Sequence, residues 1–254
     1  PGVVTHEGRK EGFDVVISNA DVFHTYDVLL KREPRAEVMR KKVSSMNYSM
    51  SLFLIYFGTN RKYANLQHHN IIFGTRYREL LSDIFERGRL ADDFSLYLHA
   101  PTVSDPSLAP AGCQTFYVLS PVPHLGKLAV DWKSEGPRYA EKILAYLEKH
   151  YMPNLGRSMV IRRLFTPDDF RTELNSRFGS AFSLEPRLLQ SAYFRVHNRD
   201  RKIRGLYFVG AGTHPGAGIP GVVNSAKATA NLILHDMKSL LARDEGGISD
   251  VSYA

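Results

Sequence analysis

Apolar residues fall mostly in short runs through the first two hundred positions, and a sustained helical period appears only in longer stretches near the middle and the end of the chain. Phe13 to Asp21 is apolar through Val15, Val16 and Ile17 and closes on Asn19 and Asp21, whose short side chains bond nearby backbone. That pattern predicts a strand running into a polar turn. Asp21 to Arg40 has mixed helical character and is interrupted at Pro34. Ser49 to Phe57, closed by Gly58-Thr-Asn60, predicts a strongly apolar strand, and Ile71 to Phe73 a short one. Leu80, Leu81, Ile84 and Phe85 give helical spacing to Tyr77–Gly88. Phe94 to His99 and Thr115 to Ser120 predict two more strands. Between them lies the turn-rich stretch Pro101 to Gly112, and Pro121 and Pro123 are expected to end the second.

The clearest amphipathic helix in the middle spans Gly136 to Tyr151. Ile143, Leu144 and Leu147 share one face, extended by Tyr151, while Glu141, Lys142, Glu148 and Lys149 face water. Met159 to Phe165 predicts a strand, and Thr166-Pro-Asp-Asp169 a helix start with Thr as cap and Pro in the first turn. Asn175 to Pro186 has loop character. Leu206 to Val209 predicts a strand, and Val222, Ala226, Thr229, Ala230, Ile233, Leu234 and Met237 carry a last helix from about Ile219 to Leu241.

Strands separated by loops and few helices predict a mixed or antiparallel sheet with helices on one side. The ends, 13–21 and 204–237, have the flavour of a nucleotide-binding fold. The expected class is therefore α/β of the α+β kind. Residues 1–24 and 195–242 are expected to form parts of one domain, 25–194 a second, and 243–254 a mobile tail.

Composition narrows this modestly. A chain of 254 residues with 43% hydrophobic residues makes one large domain or two modest ones. Cys113 is the only cysteine, which excludes an intrachain disulfide and a thiolate metal cluster. The start, Pro-Gly-Val-Val-Thr-His, carries no apolar signal segment, and no window of 18 uncharged apolar residues predicts a bilayer-spanning helix. The net charge of +7 favours an acidic contact without choosing among nucleic acid, an anionic membrane face and an acidic partner. Arg162-Arg163 and Arg199 to Arg204 are basic runs, but neither is interleaved with aromatic residues on one sheet face, so no nucleic-acid partner is expected.

The chemistry concentrates in Gly205 to Lys227. Gly210, Gly212, Gly216, Gly218 and Gly221 fall between an apolar strand and a helix. Glycine permits left-handed backbone and close approach to the main chain, and a helix start offers N–H groups to an anion or an electron-poor ring. Thr213 offers a hydroxyl to phosphate or ribityl oxygens, and Pro220 suits the first helical turn. The N–H groups of Gly221, Val222 and Val223 are then expected to be free. There is no Gly-x-Ser-x-Gly elbow, no Walker loop and no His-Glu-x-x-His helix. The ten histidines are scattered, and adjacent His68 and His69 on an extended strand face opposite ways, so no metal ligands are expected. Asp92-Asp93 and Asp168-Asp169 suit solvated loop and helix-start positions.

The segment Gly-Leu-Tyr-Phe-Val-Gly-Ala-Gly-Thr-His-Pro-Gly-Ala-Gly-Ile-Pro-Gly-Val from Gly205 resembles the C-terminal signature of bacterial-type phytoene desaturases. Val15-Val-Ile-Ser-Asn-Ala-Asp21 resembles the segment that returns their chain from cofactor domain to substrate domain, a segment shared with the wider flavin amine oxidase superfamily. The resemblance implies FAD as cofactor and phytoene, a C40 polyene lipid, as substrate, desaturated toward neurosporene or lycopene. It also implies association with a membrane surface on the cytoplasmic side, and quinone or oxygen as electron acceptor. By this likeness Gly210, Ala211, Gly212 and Thr213 lie along the pyrophosphate–ribityl stem. Ile219, Pro220, Gly221 and Val222 lie beside the isoalloxazine, Gly218 is a further cofactor-binding residue, and Asn19 and Ala20 lie near the domain junction. No catalytic acid or base is implied, because a conjugated polyene spreads positive charge as hydride leaves for the flavin.

The family opens with a strand and a Gly-x-Gly-x-x-Gly loop for the ADP part of FAD. None precedes the glycine run here, so the resemblance implies a partial amine oxidase-like fold. The expectation is a C-terminal half whose N-terminal half is absent and acts as a missing partner segment. Phe53, Ile55, Phe57, Phe116, Tyr117, Phe182 and Tyr193 are candidate substrate walls, with core packing the plainer role for most. A related flavin enzyme on another carotenoid or lipid, such as a ketolase or isomerase, and a non-enzymatic basic membrane-surface module stay open as alternatives.

Overall fold

The computed structural model describes residues 2–246. In chain order these form β1 (Gly2–Val4), β2 (Lys10–Gly12), β3 (Val16–Ser18), α1 (Glu37–Ser45), β4 (Ser51–Thr59), β5 (His69–Ile72) and α2 (Tyr77–Ser82). There follow β6 (Leu96–His99), β7 (Gln114–Val122), α3 (Trp132–His150), α4 (Leu155–Ser158), β8 (Met159–Phe165), α5 (Pro167–Glu173), β9 (Leu206–Phe208) and α6 (Ile219–Gly246). The chain divides into two compact units, one of residues 1–47 with 182–254 and one of residues 48–181.

In the first unit β1 and β2 make a small antiparallel hairpin, and β3 pairs parallel with β9 in the register Val16↔Leu206 to Ser18↔Phe208. β9 is fully buried. The Tyr26 ring stacks on Phe208 at 5.2 Å, and its hydroxyl donates to Asp200 at 2.7 Å. The mixed pattern over 21–40 resolves into a π-type turn at His24–Leu29, a tight turn at Pro34–Ala36, and then α1. Residues 2–45 thus carry three strands and a helix, and the parallel pair β3–β9 ties them to the chain's last strand. The expectation of an absent N-terminal half is withdrawn, and with it the missing partner segment. The last helix continues past Leu241 to Gly246; residues 247–254 of the expected tail lie outside the described residues.

The second unit is built on a five-stranded sheet of order β5-β6-β7-β4-β8, antiparallel throughout. β4 lies between β7 and β8 and reads as a continuous apolar run because it is covered on both faces except at Tyr56. β7 alternates instead: Phe116, Val118, Ser120 and Val122 point to the core and Tyr117 and Leu119 to the opposite face. Pro121 does not end β7. β6 pairs with β7 only across Tyr117–Leu119, so at Pro121 one edge is unpaired and the missing N–H costs no ladder bond there.

α3 covers the core face. It begins four residues before the Gly136 that sequence suggested, because the Asp131 carboxylate caps it by accepting from Lys133 N–H at 3.1 Å. Trp132 stacks on Phe53 at 5.5 Å and Tyr139 meets that ring edge-on at 5.1 Å. Gly136 lies directly over Phe53, where an added Cβ would make ordinary contact at 3.6 Å. Phe53, Ile55, Phe57 and Phe116 sit in this closed core with Ile143 and Leu147. They pack there as core side chains. α5 opens as predicted, with the Asp169 carboxylate accepting from both the N–H and the hydroxyl of Thr166 at 2.6 and 2.7 Å.

His124 is buried in this unit, with its ring stacked on Phe178 at 5.2 Å and its Nδ1 accepting from Gly126 N–H at 3.1 Å. Burial, with the charges of Lys127 and Arg177, pushes its pKa down to about 4. A histidine depressed on folding contributes stability that is intact above its unfolded pKa and drains away as pH falls toward the folded one. Urea melts are therefore expected to lose roughly 1–2 kcal/mol between pH 6.5 and pH 5. His124→Gln should flatten that slope. An unchanged slope in a folded His124→Gln chain would assign the acid loss to other groups.

Candidate functional site

The glycine run folds as a loop between β9 and α6, and its shape follows from contacts a side chain would break. Gly210 has φ 107° and faces Asn19, whose Oδ1 lies 2.6 Å from where a Cβ would stand. At Gly212 a Cβ would meet Ser183 Oγ at 2.8 Å and Val22 Cγ1 at 2.9 Å. Gly221 sits under the loop itself, its Cβ position 2.5 Å from the carbonyl oxygen of Gly216. Gly218 is the exception: φ is 88° and nothing lies within 4 Å of its Cβ position. Three of these glycines serve the loop's own packing, while Gly218 opens onto free space.

Polar groups beneath the loop hold it. Asn198 is buried, and its Nδ2 donates to His214 O at 2.9 Å, Ser225 Oγ at 3.1 Å and Thr229 Oγ1 at 3.0 Å. Ser225 Oγ accepts from Gly210 N–H at 3.2 Å, and the Thr229 hydroxyl donates to Phe208 O at 2.7 Å. Asp21 closes the turn after β3. Its carboxylate accepts from Phe23 N–H at 2.9 Å and Ser183 Oγ at 3.0 Å, and burial raises its pKa.

Arg195 is 2% exposed, and its guanidinium donates to the carbonyls of Thr213 at 3.0 Å, Ala211 at 2.5 Å and Leu184 at 3.4 Å. No carboxylate pairs with it among the described residues, and burial lowers its pKa. A cation buried under a loop without an acidic partner leaves a positive field there that favours an anion. Sequence reasoning passed over Arg195, drawn instead to the basic run at Arg199–Arg204. Only its burial beneath the loop distinguishes it.

The expected site residues separate into two groups. Gly210, Ala211, Gly212 and Thr213 form the inner part with Asn19. Thr213 is fully buried and its hydroxyl donates to Val196 O at 2.7 Å, so that hydroxyl builds the loop. Ala20, half-buried, follows Asn19 at the end of β3. Gly218, Ile219 and Pro220 are exposed and Gly221 and Val222 half-buried at the start of α6. Of the N–H groups expected to be free there, that of Val222 donates to Gly218 O at 2.9 Å. That of Gly221 has no partner among the described residues, and neither has the N–H of Ile219, which the sequence did not single out. An open glycine, two unpartnered N–H groups at the tip of a long helix, and a buried cation without a counter-ion fit an anionic planar cofactor such as FAD.

The face of the sheet away from the core carries a second cluster. Tyr117 lies 5.8 Å from Tyr56, 5.7 Å from Tyr97 and 4.7 Å from His99, ring to ring. Burial and the Tyr97 hydroxyl push the Tyr117 phenol up to about 12. His68 and His69 are neighbours here with ring centroids 4.3 Å apart, because His68 precedes β5 and escapes strand alternation. The β5–β6 register places His69 opposite His99, a proximity that spacing along the sequence does not reveal.

The profile of the family described as Flavin containing amine oxidoreductase matches residues 2–234. The chain is 57% identical over 231 residues to a lycopene-forming phytoene desaturase of Pantoea ananas, covering 91% of this chain and 47% of that protein. It is 54% identical over 238 residues to one from Paracoccus sp., covering 94% and 48%. A neurosporene-forming phytoene desaturase of Rhodobacter capsulatus is 45% identical over 236 residues, covering 91% and 45%. An oxidoreductase structure from Methanosarcina mazei shares the fold at a TM-score of 0.55 and 16% identity, covering 91% of this chain and 45% of that one. The chain spans about half the length of these relatives. The family match begins at residue 2 and takes in the N-terminal strands, which overturns the expected restriction of the likeness to a C-terminal half. The chain belongs to the flavin-containing amine oxidoreductase family, whose enzymes are FAD-dependent oxidoreductases.

Proposed function

We propose that this chain serves the FAD-dependent desaturation of phytoene toward neurosporene or lycopene. The observation that carries the reading is 57% identity over 231 residues to a phytoene desaturase. FAD, when bound, supplies an acceptor for the hydride that leaves an allylic carbon of the polyene. The chain's own residues hold and orient. Gly210, Ala211 and Gly212 bring backbone close to the cofactor stem beside Asn19 and Ala20, and Thr213 keeps that backbone in place. Gly218 leaves room for the ring, and Ile219 and Val223, 83% and 63% exposed, give it an apolar flank. The N–H groups of Ile219 and Gly221, with the field of Arg195, favour negative charge as the ring is reduced. Pro220 and Val222 fix the helix turn that aims them. Tyr56, Tyr97 and Tyr117 give the sheet an aromatic face suited to a conjugated hydrocarbon.

None of the described helices is long and apolar enough to cross a membrane. The reading therefore places the protein on the membrane surface, on its cytoplasmic side, where phytoene dissolves, with quinone or oxygen taking the electrons. The test is expression of the gene encoding this sequence in a bacterium that accumulates phytoene. Coloured polyenes on chromatography, and a purified protein absorbing near 450 nm, are expected. A yellow flavoprotein that leaves phytoene colourless would overturn the substrate and point to another carotenoid or lipid. A colourless protein would overturn the cofactor site as well.

A further inference from the structure

We propose that His68, His69 and His99 form a binding site for a borderline divalent cation of the Zn²⁺ class on the outer edge of the antiparallel sheet. Each offers one ring nitrogen, and the three lie within 4.8 Å of one another. They come from different backbone settings: His68 from the bend before β5, His69 from its first residue, and His99 from the last residue of β6. The register His69↔His99 brings them together, so the cluster is as rigid as the strand pair that builds it.

Two further contacts resemble the outer shell of a metal centre. His68 Nδ1 lies 2.6 Å from Ser104 Oγ, and His69 Nδ1 lies 2.6 Å from the Tyr97 hydroxyl. When those Nδ1 atoms carry the protons, each Nε2 presents a lone pair, which is the usual arrangement around a ligating imidazole. His99 is half-buried, and its Nδ1 has no hydrogen-bond partner. His99 Nε2 stands 2.8 Å from His68 Nε2, a hydrogen bond between two rings. Tetrahedral zinc with bonds of about 2.0–2.1 Å sets its nitrogens about 3.3 Å apart, so these two rings need part by only about half an ångström.

The donor set names the class of ion. Three imidazoles without carboxylate or thiolate suit Zn²⁺, Cu²⁺, Ni²⁺ or Co²⁺ over Mg²⁺ and Ca²⁺, which require oxygen ligands. Three protein ligands leave a fourth position, and exposed His69 puts it within reach of water. A cation here would join the start of β5 to the end of β6 and, through Ser104, to the turn beyond β6. That is a staple on the sheet's edge, and it is independent of the flavin reading.

The test titrates ZnCl₂ alone into the tag-free 254-residue chain by calorimetry, with Co²⁺ as a spectroscopic substitute. One Zn²⁺ per chain, a raised melting temperature, and intense visible Co²⁺ bands of a four-coordinate nitrogen site are expected. The variant His68→Gln/His99→Gln should bind at least about tenfold more weakly and lose the bands. His69→Gln, an exposed single change that keeps the fold, should lose them too if the double variant fails to fold. Absence of saturable binding would overturn the site, as would Zn²⁺ affinity unchanged in a folded variant or the pale spectrum of six-coordinate Co²⁺.

Discussion

Arg195→Met is expected to cost the chain about 3 kcal/mol in urea unfolding and to weaken FAD binding by at least about tenfold. Two effects compete. The guanidinium is buried without a carboxylate partner, and burial lowers its pKa, so removing it relieves a desolvation penalty. Removing it also strands the carbonyls of Thr213, Ala211 and Leu184. Each stranded buried acceptor costs about 1–3 kcal/mol. Three acceptors outweigh the one relief, because a guanidinium that already donates to three carbonyls has recovered much of its lost hydration. The cofactor arm is independent of that balance. Methionine keeps the stem's volume and abolishes the positive charge beneath the loop, so affinity for an anionic flavin should fall even if stability holds. Arg195→Lys retains the charge but not the planar fork, and should fall between the two. Wild-type stability together with wild-type flavin affinity in Arg195→Met would remove this residue from the site.

That Arg195 escaped sequence reading follows from how the site is made. The glycine loop was legible because the need for close approach writes itself into composition: five glycines fall in twelve positions, from Gly210 to Gly221. The start of α5 was legible for a similar reason, since Thr166 and Asp169 satisfy each other over three residues. Arg195 acts on carbonyls up to 18 residues away, through a fold that no local pattern announces. His99 meets His68 and His69 only because two strands pair in one register rather than the next. Proline misled at Pro121, which sits where β6 no longer pairs, and the start of α3 lies before Gly136 because Asp131 caps the helix. The chain's first residues misled most. The absence of a familiar glycine fingerprint there spoke for a missing half, whereas β3 is paired in register with β9 and the family match runs from residue 2.

Gly221→Ala and Gly218→Ala, compared side by side, separate the loop's packing from its binding. At Gly221 the new methyl would stand 2.5 Å from the Gly216 carbonyl oxygen and 3.0 Å from its carbon, both backbone atoms that cannot rotate aside. Either the loop lifts from the helix tip or the first turn of α6 opens and the Val222 N–H bond to Gly218 O is lost. Alanine gains about 1 kcal/mol over glycine in a helix, whereas overpacking against backbone costs about 1–3 kcal/mol. The loss of the turn's hydrogen bond adds about 1 kcal/mol, so a net loss of about 2 kcal/mol is expected. FAD affinity should fall by about a hundredfold, since both the N–H groups and the loop move. At Gly218 the methyl meets nothing within 4 Å, and the cost is the backbone's alone at φ 88°, about 1–2 kcal/mol. If the open space above Gly218 is where the ring lies, Gly218→Ala should weaken FAD by more than its loss of stability accounts for. Equal losses of stability and affinity in Gly218→Ala would mean that the cofactor lies elsewhere along the loop.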